Sequence, residues 1–88
     1  MVSKTVTVIN KQGLHMRPAG VLAKEAMMFK DCDIRLNVNG KNISAKAVMQ
    51  IMSAGIKCGN TVEITCDGAD EQVAIDKIVS LFESGFGE

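Results

Sequence analysis

Cys32-Asp33-Ile34-Arg35-Leu36-Asn37-Val38-Asn39-Gly40-Lys41-Asn42-Ile43-Ser44 is the stretch whose reading decides the fold. Ile34, Leu36 and Val38 alternate with Arg35 and Asn37, the period of a strand with one buried and one wet face. Asn39-Gly40 is the residue pair best suited to a two-residue turn with positive φ, so the stretch reads as a hairpin: a strand over 32–38 and a second over 41–44. Strands wetted on one face belong to an antiparallel sheet covered on one side only. Any helices in the chain must therefore pack together on that side.

Working outward, residues 4 to 9 form a β-branched, alternating run that ends at Asn10 and predicts a first strand. From Pro18 to about Phe29 the apolar residues Ala19, Leu22, Ala26 and Phe29 recur at steps of three, four and three, which is one face of a helix flanked by Val21, Met27 and Met28. Downstream of the hairpin, Val48, Ile51 and Met52 predict a two-turn helix over 47–53, with Gly55 suited to its left-handed end. Val62, Ile64 and Cys66 alternate with Thr61, Glu63 and Thr65 in a further strand over 61–66. Asp70 is placed to cap a last helix over 71–83, with Ala74, Ile78 and Leu81 inward and Val73 and Phe82 beside them. The glycine-rich residues 84 to 88 are expected to fray. The order is β-α-β-β-α-β-α, an α+β fold with a four-stranded antiparallel sheet and three helices on one side, and residues 1–88 read as a single domain.

Composition narrows the function. The 88 residues carry ten basic and ten acidic side chains without a lysine-arginine run, which argues against nucleic acid or an anionic membrane as partner. No run of about 18 apolar residues and no signal-peptide pattern is present, so membrane insertion is not expected and the cytoplasm is the expected location. Cys32, Cys58 and Cys66 are widely spaced and accompanied by a single histidine. They read as reduced, mostly packed thiols, with no metal site expected. A chain of this length buries roughly 60 % of its unfolded surface, so no cofactor is needed for stability.

Chemistry concentrates in Gly13-Leu14-His15-Met16-Arg17-Pro18-Ala19, which holds the only histidine and the only proline. Pro18 belongs in the first turn of a helix, where its missing N–H costs nothing. His15 then stands at the mouth of that helix. Unpaired amides of the first turn, around Met16, Arg17 and Pro18, together with the Arg17 guanidinium would hold an anion attached to His15. Neutral imidazole is a nucleophile near pH 7, so His15 can accept a phosphoryl group without a strong base beside it. The chain has no P-loop, no supportable Ser-His-Asp spacing and no metal-ligand cluster. A protein so equipped carries a phosphoryl group that other proteins supply and use.

The motif from Gly13 to Ala19 resembles the active-site motif of the histidine-containing phosphocarrier (HPr) family of the bacterial phosphoenolpyruvate-dependent sugar phosphotransferase system. The resemblance extends to Asn39-Gly40-Lys41, to residues 46–55 with Met49 and Met52, to Gly68-Ala69-Asp70-Glu71 and to Gly87-Glu88. It implies the family's open-faced β-sandwich, phosphorylation of His15 at Nδ1 by enzyme I, stabilisation of the phosphohistidine by Arg17, and transfer onward to a sugar-specific IIA component. It also implies partner docking through Met16, Val48, Met49 and Met52, although Val48 equally fits a core role. Met16 departs from the small or β-branched residue usual at its position and is expected to face outward. Ala47 stands where Gram-positive members of the family place a regulatory serine, so modification by the serine-directed HPr kinase is not expected. Ser44 and Ser53, nearby, do not match the regulatory position. A regulatory binding module on the same fold and a carrier in a nitrogen-related relay are the alternatives; the pairing of His15 with Arg17 favours the carrier. A neutral small carrier that visits two partners through one surface is most simply a monomer.

Overall fold

The computed structural model describes residues 1–88. Its strands are β1 (Val2–Thr7), β2 (Cys32–Val38), β3 (Lys41–Ser44) and β4 (Thr61–Gly68); its helices are α1 (Met16–Met27), α2 (Val48–Ser53) and α3 (Glu71–Glu83). The four strands form one sheet in the order β1-β4-β2-β3, antiparallel throughout. The hairpin is formed as its sequence predicts: Val38 pairs with Lys41, and Asn39 and Gly40 both take positive φ, 52° and 75°. This is the backbone that the two-residue turn demands.

Alternation along the strands divides the sheet into two faces. Ile34, Leu36, Val62, Ile64 and Cys66 are buried together with Val6 and Ile43. The other face carries a polar ladder across the strands: Arg35 Nε donates to Asn42 Oδ1 at 2.8 Å, Asn42 Nδ2 to Asn37 Oδ1 at 2.8 Å, and Asn37 Nδ2 to Glu63 Oε1 at 3.3 Å. The apolar face receives Leu22 and Ala26 of α1, Ile51 of α2, and Ala74, Ile78 and Phe82 of α3, all in one core. One wet face and one covered face are what the hairpin's pattern requires.

Several boundaries and faces differ from the sequence reading, each for a tertiary reason. β1 spans 2–7 and not 4–9 because its partner β4 begins at Thr61, opposite Thr7; Val8 instead bonds the turn, donating to Asn60 O at 2.9 Å and accepting from Gly59 N at 2.8 Å. β4 in turn runs on to Gly68, opposite Cys32 of β2. α1 begins two residues before Pro18 and ends at Met27. Lys46 Nζ donates to the Phe29 and Cys32 carbonyls at 2.7 and 2.6 Å, tying the turn that follows α1 to the start of β2. The inward face of α3 is Ala74, Ile75, Ile78, Val79 and Phe82; Leu81 is only half-buried and Val73 is exposed. Asp70 does not cap α3 with its side chain. Its φ of 58° is left-handed, whereas a capping side chain needs an extended backbone, and the Glu71 carboxylate accepts Gly68 N–H at 3.1 Å instead.

The largest correction concerns residues 84 to 88, which do not fray. Gly85–Gly87 form a 3-10 turn in which Gly85 and Phe86 are buried, and the Phe86 ring meets Phe82 edge-on at 4.9 Å. Burial of an aromatic side chain is worth about 2 kcal/mol, enough to hold a short glycine-rich segment that local composition alone would release. Of the thiols, Cys32 and Cys66 are packed and Cys58 is exposed; all three are free. Burial pushes the Cys66 thiol up to about 12, with Cys32 adding to the shift.

Candidate functional site

The route from β1 to α1 places His15. After Val8 the chain turns at Asn10, whose carbonyl accepts Gly13 N–H at 2.9 Å, and Leu14 N–H then donates to Ile56 O at 3.1 Å. Gly13 is required twice over: its φ is +69°, and a Cβ there would collide with the Ile56 carbonyl oxygen. Leu14 plugs into the core with 4 % exposure. Leu14 therefore anchors the loop, and the next residue becomes the start of α1.

His15 is the N-cap residue, extended at φ −76° and ψ −168°, and its ring makes no capping hydrogen bond. The first helical bond runs from Ala19 N–H to His15 O at 3.0 Å. The Met16 and Arg17 N–H groups lie ahead of the helical ladder and Pro18 has none to offer. Pro18 is thus a buried brace in the first turn. Arg17 is exposed and its guanidinium makes neither an ion pair nor a hydrogen bond with the protein. The cleft that the imidazole lines thus also holds a cation without a protein partner, and the helix start offers two amides outside the ladder, groups able to compensate an added phosphoryl charge.

Two residues that the sequence reading gave no role complete the site. Asn10 is buried at 6 % exposure, and its Nδ2 donates to Gly85 O and to Glu88 Oε1, both at 2.8 Å. Both partners are acceptors, so the orientation of the amide is fixed, and Asn10 Oδ1 is left buried without a donor. Glu88 lies against His15, with Nε2 3.1 Å from Oε2 and 3.3 Å from Oε1. The hydrogen bond from Asn10, then the neighbouring His15 and Arg17, hold the Glu88 carboxyl below the usual carboxylate range. These groups, with Lys11 and Ser84, line a cleft of about 540 Å³. No local pattern announces the pairing, because Asn10 and Glu88 are 78 positions apart; the only sequence signal was the likeness of Gly87-Glu88 to the family pattern.

Met16 at 70 % and Met49 at 74 % exposure stand out from the surface, Met52 less so at 37 %, and Val48 is half-buried. Met16 faces outward as expected. Ala47 is the N-cap residue of α2, and no side chain caps that helix. Ser44 is engaged locally, its hydroxyl accepting Lys46 N–H at 3.2 Å. No group of three or more metal-ligating side chains is assembled, and no helix is long and apolar enough to cross a membrane.

An open-faced sheet with helices on one side and a lone histidine opening the first helix define a class of small phosphoryl carriers. Comparison with known proteins sharpens this. Residues 2–84 match the family model described as the PTS HPr component phosphorylation site. The phosphocarrier protein HPr of Treponema pallidum is 38% identical over 88 residues, covering 100% of this chain and 99% of the relative. The crystal structure of HPr from Thermoanaerobacter tengcongensis superimposes with a TM-score of 0.94 at 41% identity, covering 100% of this chain and 98% of that one. A dimer of HPr from the same organism gives 0.78 at 41% identity with both chains fully covered. The chain belongs to the HPr family. It is a phosphocarrier of the phosphotransferase system, working with partner proteins of that system and not as an enzyme in its own right.

Proposed function

We propose that this protein accepts a phosphoryl group on His15 at Nδ1 from enzyme I and delivers it to a sugar-specific IIA component, in the cytoplasm and as a monomer, with residues 1–88 acting as one carrier domain. The observation that carries the reading is the start of α1: an imidazole with one nitrogen unbonded, two amides outside the helical ladder, and the Arg17 guanidinium without a protein partner. Phosphoryl transfer asks mainly for positioning and charge compensation, and these groups supply both. Arg17 and the Met16 and Arg17 amides take the phosphoryl oxygens. Met16, Met49 and Met52 give flexible apolar contacts that two different partners can share, with Val48 supporting them from its half-buried place. Ala47 offers no hydroxyl, so the serine-directed kinase finds no substrate at that position.

A two-stage relay tests the reading. The protein is incubated with enzyme I, magnesium and phosphoenolpyruvate, freed of enzyme I, and then mixed with IIA components. The expected outcome is loss of the phosphoryl group from this protein with matching gain on at least one IIA component. A phosphorylated protein that passes its group to none of a panel covering the sugar classes would reject IIA as its target.

A further inference from the structure

The chain holds six methionines, and none of them is among the 25 residues of the hydrophobic core. Methionine is an ordinary filler of cores, yet here all six are exposed. We propose that Met16, Met49 and Met52 form a site of reversible oxidation by peroxide, where conversion to the sulfoxide closes the docking surface of the carrier without unfolding it. The proposal rests on the reading of these three as docking residues and deepens it.

Their placement comes from the two helices. Met16 is the first residue of α1, directly after His15, and Met49 and Met52 are three apart in α2, on one face of it. The side of α1 turned towards α3 is marked by Lys77, whose Nζ lies 3.5 Å from Glu25 Oε1. Glu25 is nine residues on from Met16 and therefore half-way round the helix from it. Met16 thus stands on the opposite side, where α2 packs beside α1. Met27 and Met28 are exposed too, but at the far end of α1, ~16 Å along its axis from Met16.

The chemistry of the thioether supplies the rest. Its sulfur lone pair forms a bond to one peroxide oxygen while the O–O bond breaks, leaving its electron pair on the other oxygen. That oxygen takes the proton of the transferred one and departs as water. Sulfur is oxidised by two electrons and the peroxide is reduced. In the return step a dithiol gives two electrons and two protons, becoming a disulfide, and the oxygen leaves as water; sulfoxide reductases run this step for each epimer.

The product is a polar, chiral side chain whose oxygen is a strong acceptor. Pressed against the apolar atoms of a partner, that oxygen gives up water and gains no donor, so docking weakens. The core loses nothing, since it contains no methionine. Leucine would give similar apolar area and resist peroxide; methionine at all three places leaves the surface both adaptable and oxidisable. Of the thiols, Cys32 and Cys66 are packed, and the exposed Cys58 is the other group open to peroxide.

The test is made on protein carrying Cys58→Ser, which removes that thiol from the reaction. The protein is treated with hydrogen peroxide, the excess is destroyed with catalase, and sulfoxides are located by peptide mass. The KM and kcat for its phosphorylation by enzyme I with phosphoenolpyruvate and magnesium are then measured, together with urea unfolding. Sulfoxide at positions 16, 49 and 52 is expected to raise KM by about tenfold, the effect of one unsatisfied polar group at a contact, with the urea midpoint unchanged. Treatment with sulfoxide reductases and a dithiol should restore KM. Each variant is compared with its own untreated form. A Met16→Leu, Met49→Leu, Met52→Leu protein should keep its KM through peroxide, whereas Met27→Leu, Met28→Leu should lose affinity as the parent does. An unchanged KM with all three sulfoxides in place, an equal loss in the triple leucine protein, or a loss accompanied by a fall in the urea midpoint would overturn the proposal. The docking reading is judged separately, without peroxide: it fails if untreated Met49→Ala keeps the parent's KM for enzyme I.

Discussion

Two helices in this molecule begin in nearly the same way and have opposite chemical value. α1 starts at His15 and α2 at Ala47; both N-cap residues are extended and neither helix has a side-chain cap. Each leaves unpaired N–H groups and the positive end of a dipole open to solvent. At α1 that opening is furnished with a nucleophile, a free guanidinium and a carboxylate held by a buried amide. At α2 it is furnished with a methyl group. An open helix start is therefore only an opportunity for anion chemistry, and the residues brought to it from elsewhere in the chain decide whether it is used.

The comparison can be broken at α1 first. His15→Ala should abolish phosphoryl uptake while leaving thermal unfolding nearly unchanged, since the ring caps nothing; intact mass and a melting curve read both. Arg17→Ala should slow transfer by about 100-fold, the usual loss when one charge-compensating donor is removed. Its unfolding midpoint in urea should stay at the wild-type value because the guanidinium has no protein partner. Gly13→Ala attacks the scaffold instead. With φ at +69° and the Ile56 carbonyl in the way, it should cost more than about 1 kcal/mol in urea unfolding and displace Leu14 and His15 together.

Smaller effects sharpen the contrast. Ala47→Ser should stabilise the protein by about 1 kcal/mol by supplying the missing cap of α2, and should create a substrate for the serine-directed kinase where alanine gives none. Urea unfolding checks the first effect, and radiolabel incorporation with and without the substitution checks the second. Acidification should act beside the start of α1 and not at the start of α2. The Glu88 carboxyl is held below its usual range, so its contribution is complete above the ordinary carboxylate range and is lost as pH falls through the lowered value. Amide shifts of residues 85–87 should move in that acidic window, while those of α2 stay still.

How much of this was legible in the sequence depends on how far apart the interacting residues lie. The hairpin was readable because strand alternation and the Asn39-Gly40 turn are local, and the structure reproduces its boundaries at 32–38 and 41–44. The place of Pro18 in the first turn of α1 was readable because proline is tolerated there, although the helix begins two residues earlier, at Met16. The phase of α3 was misjudged: Leu81 looks equivalent to Ile78 along the chain, but the helix turns Ile75 and Val79 to the core instead. The segment after α3 was the hardest to read. Its glycines predict disorder, and only the fold brings Phe82 under Phe86 and Asn10 beside Glu88. Pattern along the chain locates the histidine, whereas the groups that orient it arrive by tertiary contact.

The central claim is that the opening of α1, through His15, is the site at which this protein carries phosphate. Its most direct test is incubation with enzyme I, magnesium and phosphoenolpyruvate, followed by intact mass before and after acid treatment, for wild type and His15→Ala. The account predicts one acid-labile phosphoryl group on wild type and none on the variant. No gain on wild type under conditions that modify a control HPr, or a gain that survives His15→Ala, would contradict it.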